Sequence, residues 1–155
     1  MLSMLLGACG FQLQGRADLP PVLAAAYIDS KDAQSEFYHG LRSALRSAGS
    51  TLQAAASDGG ATISVLSDGT SERVLTVSSR NLPTAYQLNY AVHLRVTAGG
   101  RELLAPETFT ATREYSFDAT ALLAKERERE NLTTALADEL VTVVMRRLSS
   151  LSTAD

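Results

Sequence analysis

Few residues in this chain are equipped for covalent or acid–base chemistry. His39 and His93 are the only histidines and Cys9 is the only thiol. No H-E-x-x-H, C-x-x-C or EF-hand spacing occurs, so the sequence assembles neither the nitrogen and sulfur ligands of zinc nor the oxygen loop of calcium. G-x-S-x-G, the P-loop and G-x-G-x-x-G are also missing. Glu126, Glu128 and Glu130 are interleaved with Arg127 and Arg129, the pattern of a solvated helix face rather than of a carboxylate pair set for proton transfer. The reading is of a non-enzymatic protein with no metal and no dissociable cofactor. Two cations stand out instead. Arg80 lies in the turn Arg80-Asn81-Leu82-Pro83, and Lys125 follows the apolar run Ala121-Leu122-Leu123-Ala124. A cation beside apolar side chains suits a phosphate that carries an acyl chain; Arg grips phosphate bidentately and Lys meets it as a point charge. Spacing alone does not separate these two from ordinary surface charges.

Cys9 has a more specific context. Leu6-Gly7-Ala8-Cys9 looks like a bacterial lipobox. Small residues before the Cys let a signal peptidase approach the backbone, and the thiol accepts a diacylglyceryl group. Residues 1–9 are therefore expected to be the end of a lipoprotein signal segment, with Cys9 as the lipid anchor. A full leader carries a basic region and an apolar stretch of about 7–15 residues. Met1–Gly10 has no Lys or Arg, so the leader is expected to begin upstream. With a single Cys no internal disulfide can form.

The elements that position Arg80 and Lys125 are organised around Tyr86–Val96. Tyr86, Leu88, Tyr90, Val92, Leu94 and Val96 are large and apolar, and Gln87, Asn89, Ala91, His93 and Arg95 lie between them. This period of two predicts a strand with one face on a core. Val22–Asp29 reads as an earlier strand. Ser30–Gly49 reads as a helix capped at Asp32 or Ser35, with Phe37, Leu41, Ala44, Leu45 and Ala48 on its apolar stripe and Gly49 closing it. Ala54–Gly60 is a small-residue loop. Ala61–Ser79 is a strand pair or one long strand, with Asp68-Gly69 as either a turn or a bulge. Phe109–Phe117 alternates again, with Pro106 at its start or on an edge, and Asp118–Leu151 reads as a long helix whose stripe is Leu132, Leu136, Leu140, Val143, Val144, Leu148 and Leu151. The expected fold is an α/β (α+β) sandwich. Two helices pack on one face of a mixed, mainly antiparallel sheet in the order β-α-β-β-β-α, leaving the other face open. Residues 10–151 form the single domain and 152–155 a tail.

Composition narrows the class. At 155 residues the chain supports one core of ordinary size. A net charge of −3 argues against non-specific nucleic-acid binding, which needs a basic footprint, and leaves room only for a local basic patch. No apolar run approaches the ~20 residues of a membrane-spanning helix.

Several stretches, taken in order, resemble one family. Cys9-Gly10-Phe11-Gln12-Leu13 is similar to the mature start of the LPS-assembly lipoprotein LptE family. So are Tyr27-Ile28-Asp29-Ser30 ahead of Leu41-Arg42-x-x-Leu45-x-x-x-Gly49, Arg80-Asn81 leading into Ala85-Tyr86-Gln87-Leu88, and Phe117-Asp118 before Ala121-Leu122-Leu123-Ala124-Lys125-x-x-Glu128. Ala54–Arg73 carries no matching motif. The resemblance implies a Gram-negative outer-membrane lipoprotein that faces the periplasm and is held by acyl chains on Cys9. It implies a complex with the β-barrel translocon LptD, plugging its lumen, and lipopolysaccharide binding at the positions that fall on Arg80 and Lys125. Gly10 after the Cys fits sorting to the outer membrane. Thr108, Thr110, Thr112, Gln87, Asn89 and His93 would then supply a polar surface toward the barrel interior. The alternative is an outer-membrane lipoprotein scaffold that binds other proteins and never touches lipopolysaccharide. A small hydrolase, the third class, lacks a nucleophile–base pair in the sequence.

Overall fold

The computed structural model describes residues 19–116 and 122–151. Cys9, Phe117, Asp118, Ala121 and the 152–155 tail lie outside them. A 3-10 turn at Pro21–Leu23 leads into β1 (Ala25–Ser30), α1 (Glu36–Ser47), β2 (Thr51–Leu52), β3 (Ala61–Val77), β4 (Pro83–Ala98), β5 (Arg101–Ser116) and α2 (Leu122–Ser149). The sheet order is β2-β1-β3-β4-β5. β1 pairs in parallel with β2 and β3, and β3, β4 and β5 form an antiparallel meander. The two-helix, mixed-sheet architecture expected from the sequence is present, with β2 as an added strand.

α1 starts and stops where its sequence says it should. Ser35 is the N-cap, and its hydroxyl accepts from the Tyr38 N–H at 3.0 Å. At the other end Gly49, at φ +93°, donates to the Arg46 carbonyl at 3.0 Å, and Ser50 donates to the Leu45 carbonyl at 2.9 Å. This is a Schellman closure, which needs a left-handed residue after the cap. Pro21 begins the 3-10 turn, so the strand expected from Val22 starts at Ala25. A proline fixes the φ that such a turn uses and gives up an N–H that a strand would need.

One core joins both helices to one face of the sheet. Phe37, Leu41 and Leu45 of α1 meet Leu136, Leu140, Val144 and Leu148 of α2 above Leu88, Tyr90, Val92, Leu94 and Val96 of β4. On β4 the burial alternates residue by residue, as the period of two requires. α2 departs from its expected stripe. Val143 is 39% exposed, while Ala137, Val141 and Met145 are buried. α2 packs on α1 as well as on the sheet, so its buried arc turns toward α1. A Cβ on Gly40 of α1 would sit 2.9 Å from Val141 Cγ2, closer than carbon atoms pack.

The long strands carry five register shifts, three between β3 and β4 and two between β4 and β5. β3 runs unbroken through Asp68-Gly69, and its first bulge lies at Leu66, between the pairs Val65–Leu94 and Ser67–His93. Pro106 sits inside β5 rather than before it, on the edge strand, where the register shifts between Leu94 and Val96; edges and bulges are the places a sheet tolerates Pro.

Gly40→Val should destabilise the protein by about 1–3 kcal/mol through overpacking against a stiff β-branched neighbour. Combined with Val141→Ala it should cost less than the sum of the two single changes. Chemical denaturation of the four-protein cycle measures this; strict additivity would rule out the close contact.

Candidate functional site

The strands outrun their helical cover at one end. Beyond Val77 the chain turns through Ser78–Leu82, where the Ser78 N–H donates to the Leu82 carbonyl at 2.7 Å and the Asn81 N–H to the Ser78 carbonyl at 2.9 Å. Asn81 takes φ +60°, a conformation that Asn tolerates better than most side chains. Arg80 stands exposed on this turn. On the same hairpin end Val74 (48%), Leu75 (38%), Val77 (50%) and Leu82 (49%) are the large apolar residues left open on β3 and the turn. Open apolar side chains at the end of a hairpin mark a candidate interaction surface, and Arg80 adds a guanidinium to that end.

Lys125 lies at the same end, on the helix side. Its ammonium is 4.0 Å from the centre of the Tyr86 ring and 3.6 Å from Glu72 Oε1, with only 16% of the side chain exposed. Tyr86 stands three residues along β4 from Pro83, roughly 10 Å at strand rise. The Tyr86 and Tyr115 rings stack, centres 5.5 Å apart and 20° from parallel. Tyr115 Oη donates to the other Glu72 oxygen, Oε2, at 2.5 Å. Each carboxylate oxygen thus has its own partner. Glu126, one residue beyond Lys125, pairs with Arg129 at 3.0 Å.

The Leu66 bulge creates this arrangement. Before it, odd-numbered residues such as Ile63 and Val65 face the helices; after it, Asp68, Thr70, Glu72 and Val74 do, opposite Val92, Tyr90, Leu88 and Tyr86. Asp68 accepts a very short hydrogen bond from the Ser35 hydroxyl at the start of α1, and Glu72 meets Lys125 near the start of α2. An acidic side chain at the N-terminal turn of a helix is also favoured by the helix dipole. Further along α2, Arg113 reaches Glu139 at 2.5 Å and Glu107 reaches Arg147 at 3.1 Å.

Arg80 and Lys125 are therefore placed at one end of the molecule, the first projecting and the second set in a Tyr–Glu–Tyr cluster. Sequence reading missed Glu72, Tyr86 and Tyr115 as site residues. Glu72 falls in the stretch without a motif, and the two tyrosines are indistinguishable by pattern from core positions. His39 contacts the Tyr38 ring edge-on. His93 lies on the opposite, open face of β4, paired with Ser67 and Thr108. Among the described residues no three His, Cys, Asp or Glu side chains converge as a metal site. That open face is polar: Gln87 accepts from Arg73 at 2.6 Å and Asn89 from Thr112 at 3.2 Å.

Two phenols are shifted. Burial, then the hydrogen bond and charge of Glu72, pushes Tyr115 well above the ordinary tyrosine range; burial, then Asp68, does the same to Tyr90.

The fold is that of small bacterial lipoproteins. It is similar to rare lipoprotein B from Shewanella oneidensis (TM-score 0.72, 22% identity, 81% of this chain and 94% of that one) and to a lipoprotein B from Nitrosomonas europaea (TM-score 0.75, 23% identity, 94% of each chain). A minor lipoprotein from Acinetobacter baumannii is also similar (TM-score 0.70, 19% identity, 84% of this chain and 94% of that one). At these identities the likeness establishes the fold. No curated protein sequence matches the chain. The family described as LptE, Lipopolysaccharide-assembly, matches residues 23–148; the chain belongs to that family, and its role is in lipopolysaccharide assembly.

The raised phenols carry a pH prediction. Each is neutral in the fold at pH values where the unfolded chain, with a tyrosine value of 10.0, has lost its proton. Their contribution is present below about pH 10 and is lost as pH rises beyond it. Phenolate absorbance should show two of the five tyrosines ionising only with alkaline unfolding, with Tyr90→Phe and Tyr115→Phe each removing one late proton. Five tyrosines titrating together while the fold persists would contradict the buried phenol–carboxylate contacts.

Proposed function

We propose that this protein is the lipoprotein subunit of the outer-membrane lipopolysaccharide translocon. It is anchored by acyl chains on Cys9, seats in the lumen of the β-barrel LptD, helps that barrel assemble and binds lipopolysaccharide for delivery to the outer leaflet. Arg80 and Lys125 take its phosphates. The observation that carries the lipopolysaccharide assignment is the hairpin end. An exposed guanidinium at Arg80, on the hairpin end that also leaves Val74, Leu75, Val77 and Leu82 open, offers cationic and apolar contacts, as a phosphorylated, acylated glycolipid requires. The polar open face of the sheet supports the barrel assignment, because barrel lumens are polar. Among the described residues no helix is long and apolar enough to cross a membrane. In this reading the Cys9 lipid supplies membrane attachment, and two or more chains, at ~0.8 kcal/mol per buried CH₂, hold stably.

Arg80→Ala with Lys125→Gln should weaken lipopolysaccharide binding by about tenfold or more, since each contact is a charge-assisted one worth roughly 1.5–3 kcal/mol, while circular dichroism and thermal unfolding show an intact fold. Unchanged affinity in the folded double variant would remove these residues from the site and favour a scaffold that contacts only proteins.

A further inference from the structure

Lys125 is already held by an internal anion. Glu72 Oε1 lies 3.6 Å from its ammonium, Tyr115 Oη fixes the opposite oxygen at 2.5 Å, and the Tyr86 ring backs the cation at 4.0 Å. The pair is largely shielded, with 16% of the Lys125 side chain and 28% of the Glu72 side chain exposed, so solvent screens it less than a surface pair. A phosphate approaching Lys125 meets the Glu72 charge at the same place. Arg80 on the turn has no such carboxylate among the described residues.

Resting on the site proposed above, we infer that Glu72 is a built-in competitor for Lys125, a specificity residue that keeps the cation closed to weak anions. Only a ligand that first gains purchase on Arg80 and the apolar hairpin end displaces it. No bond is made or broken; the Lys125 ammonium exchanges a carboxylate for a phosphate. A monoanion without acyl chains has nothing with which to offset the lost Glu72 and Tyr86 contacts, whereas a phosphorylated glycolipid engages Arg80 and the open leucines and valines together. The bulge at Leu66 serves this arrangement by turning Glu72 to the helix side.

The test titrates the full-length protein, Glu72→Gln, Lys125→Gln and the Glu72→Gln/Lys125→Gln pair with purified lipopolysaccharide and with its dephosphorylated form. The amide keeps the size of the carboxylate and can still accept from Tyr115. Glu72→Gln should bind lipopolysaccharide about fivefold more tightly, the upper end for one partly screened charge pair. The gain should vanish with the dephosphorylated ligand and in the double variant. Tyr115→Phe, which releases the carboxylate while keeping its charge, is the second variant and should shift affinity in the same direction by less. If Lys125→Gln weakens binding while Glu72→Gln and Tyr115→Phe leave it unchanged, the competitor is refuted and the binding site stands. If the wild-type protein and Glu72→Gln both fail to bind, the site itself is refuted and the competitor with it.

Discussion

β4 is hydrogen-bonded along both edges, and β3 must keep register with it while gaining one residue at Leu66. That extra residue reverses which side chains of β3 face the helices. Ahead of it the inward positions are apolar, and Ile63 and Val65 close the core in register with Val96 and Leu94. Behind it they are Asp68, Thr70 and Glu72. A polar row inside a helix–sheet interface is costly unless every charge finds a partner. Here the partners are the two helix starts: Ser35 at the cap of α1 takes Asp68 Oδ2, leaving Oδ1 buried without a hydrogen bond, and Lys125 of α2 takes Glu72. The positions of both helices along the sheet are tied to the bulge in this way.

The same constraint separates the molecule into a packed body and an open end. Apolar burial is dense around Ile63, Val65 and the stretch of β4 from Leu88 to Val96, under Phe37, Leu140 and Leu148. Past Tyr86 the hairpin continues beyond this core with its valines and leucines uncovered. Lys125 sits at the boundary. It belongs to the fold through Tyr86 and Glu72.

Period and capping made much of the body legible. β4 announced itself by alternation, and α1 by its stripe, by Ser35 and by Gly49. Membership in the LptE family, shown by the match over 23–148, was visible in short motifs from Tyr27 to Glu128. The unread parts have physical reasons. Thr51–Leu52 is too short to show any period. A bulge leaves no composition signal of its own, so Asp68-Gly69 pointed to an irregularity that lies two residues earlier. Val143 was assigned to the core because an ideal stripe faces one neighbour, whereas α2 faces the sheet and α1 together. Arg80 and Lys125 were singled out by their surroundings, but the Glu72 and Tyr115 contacts join β3, β5 and α2, and spacing along a chain carries no record of such meetings.

The central claim is that this lipoprotein works as part of a barrel machine. Its most direct test is co-purification. The chain, expressed with its native upstream region in its own host, is isolated from outer membranes solubilised in mild detergent, and the stoichiometric partners are identified. The account predicts one large β-barrel protein at an equimolar ratio, with lipopolysaccharide in the complex. A lipoprotein recovered from those membranes without a barrel, or with a soluble periplasmic protein in its place, would contradict it.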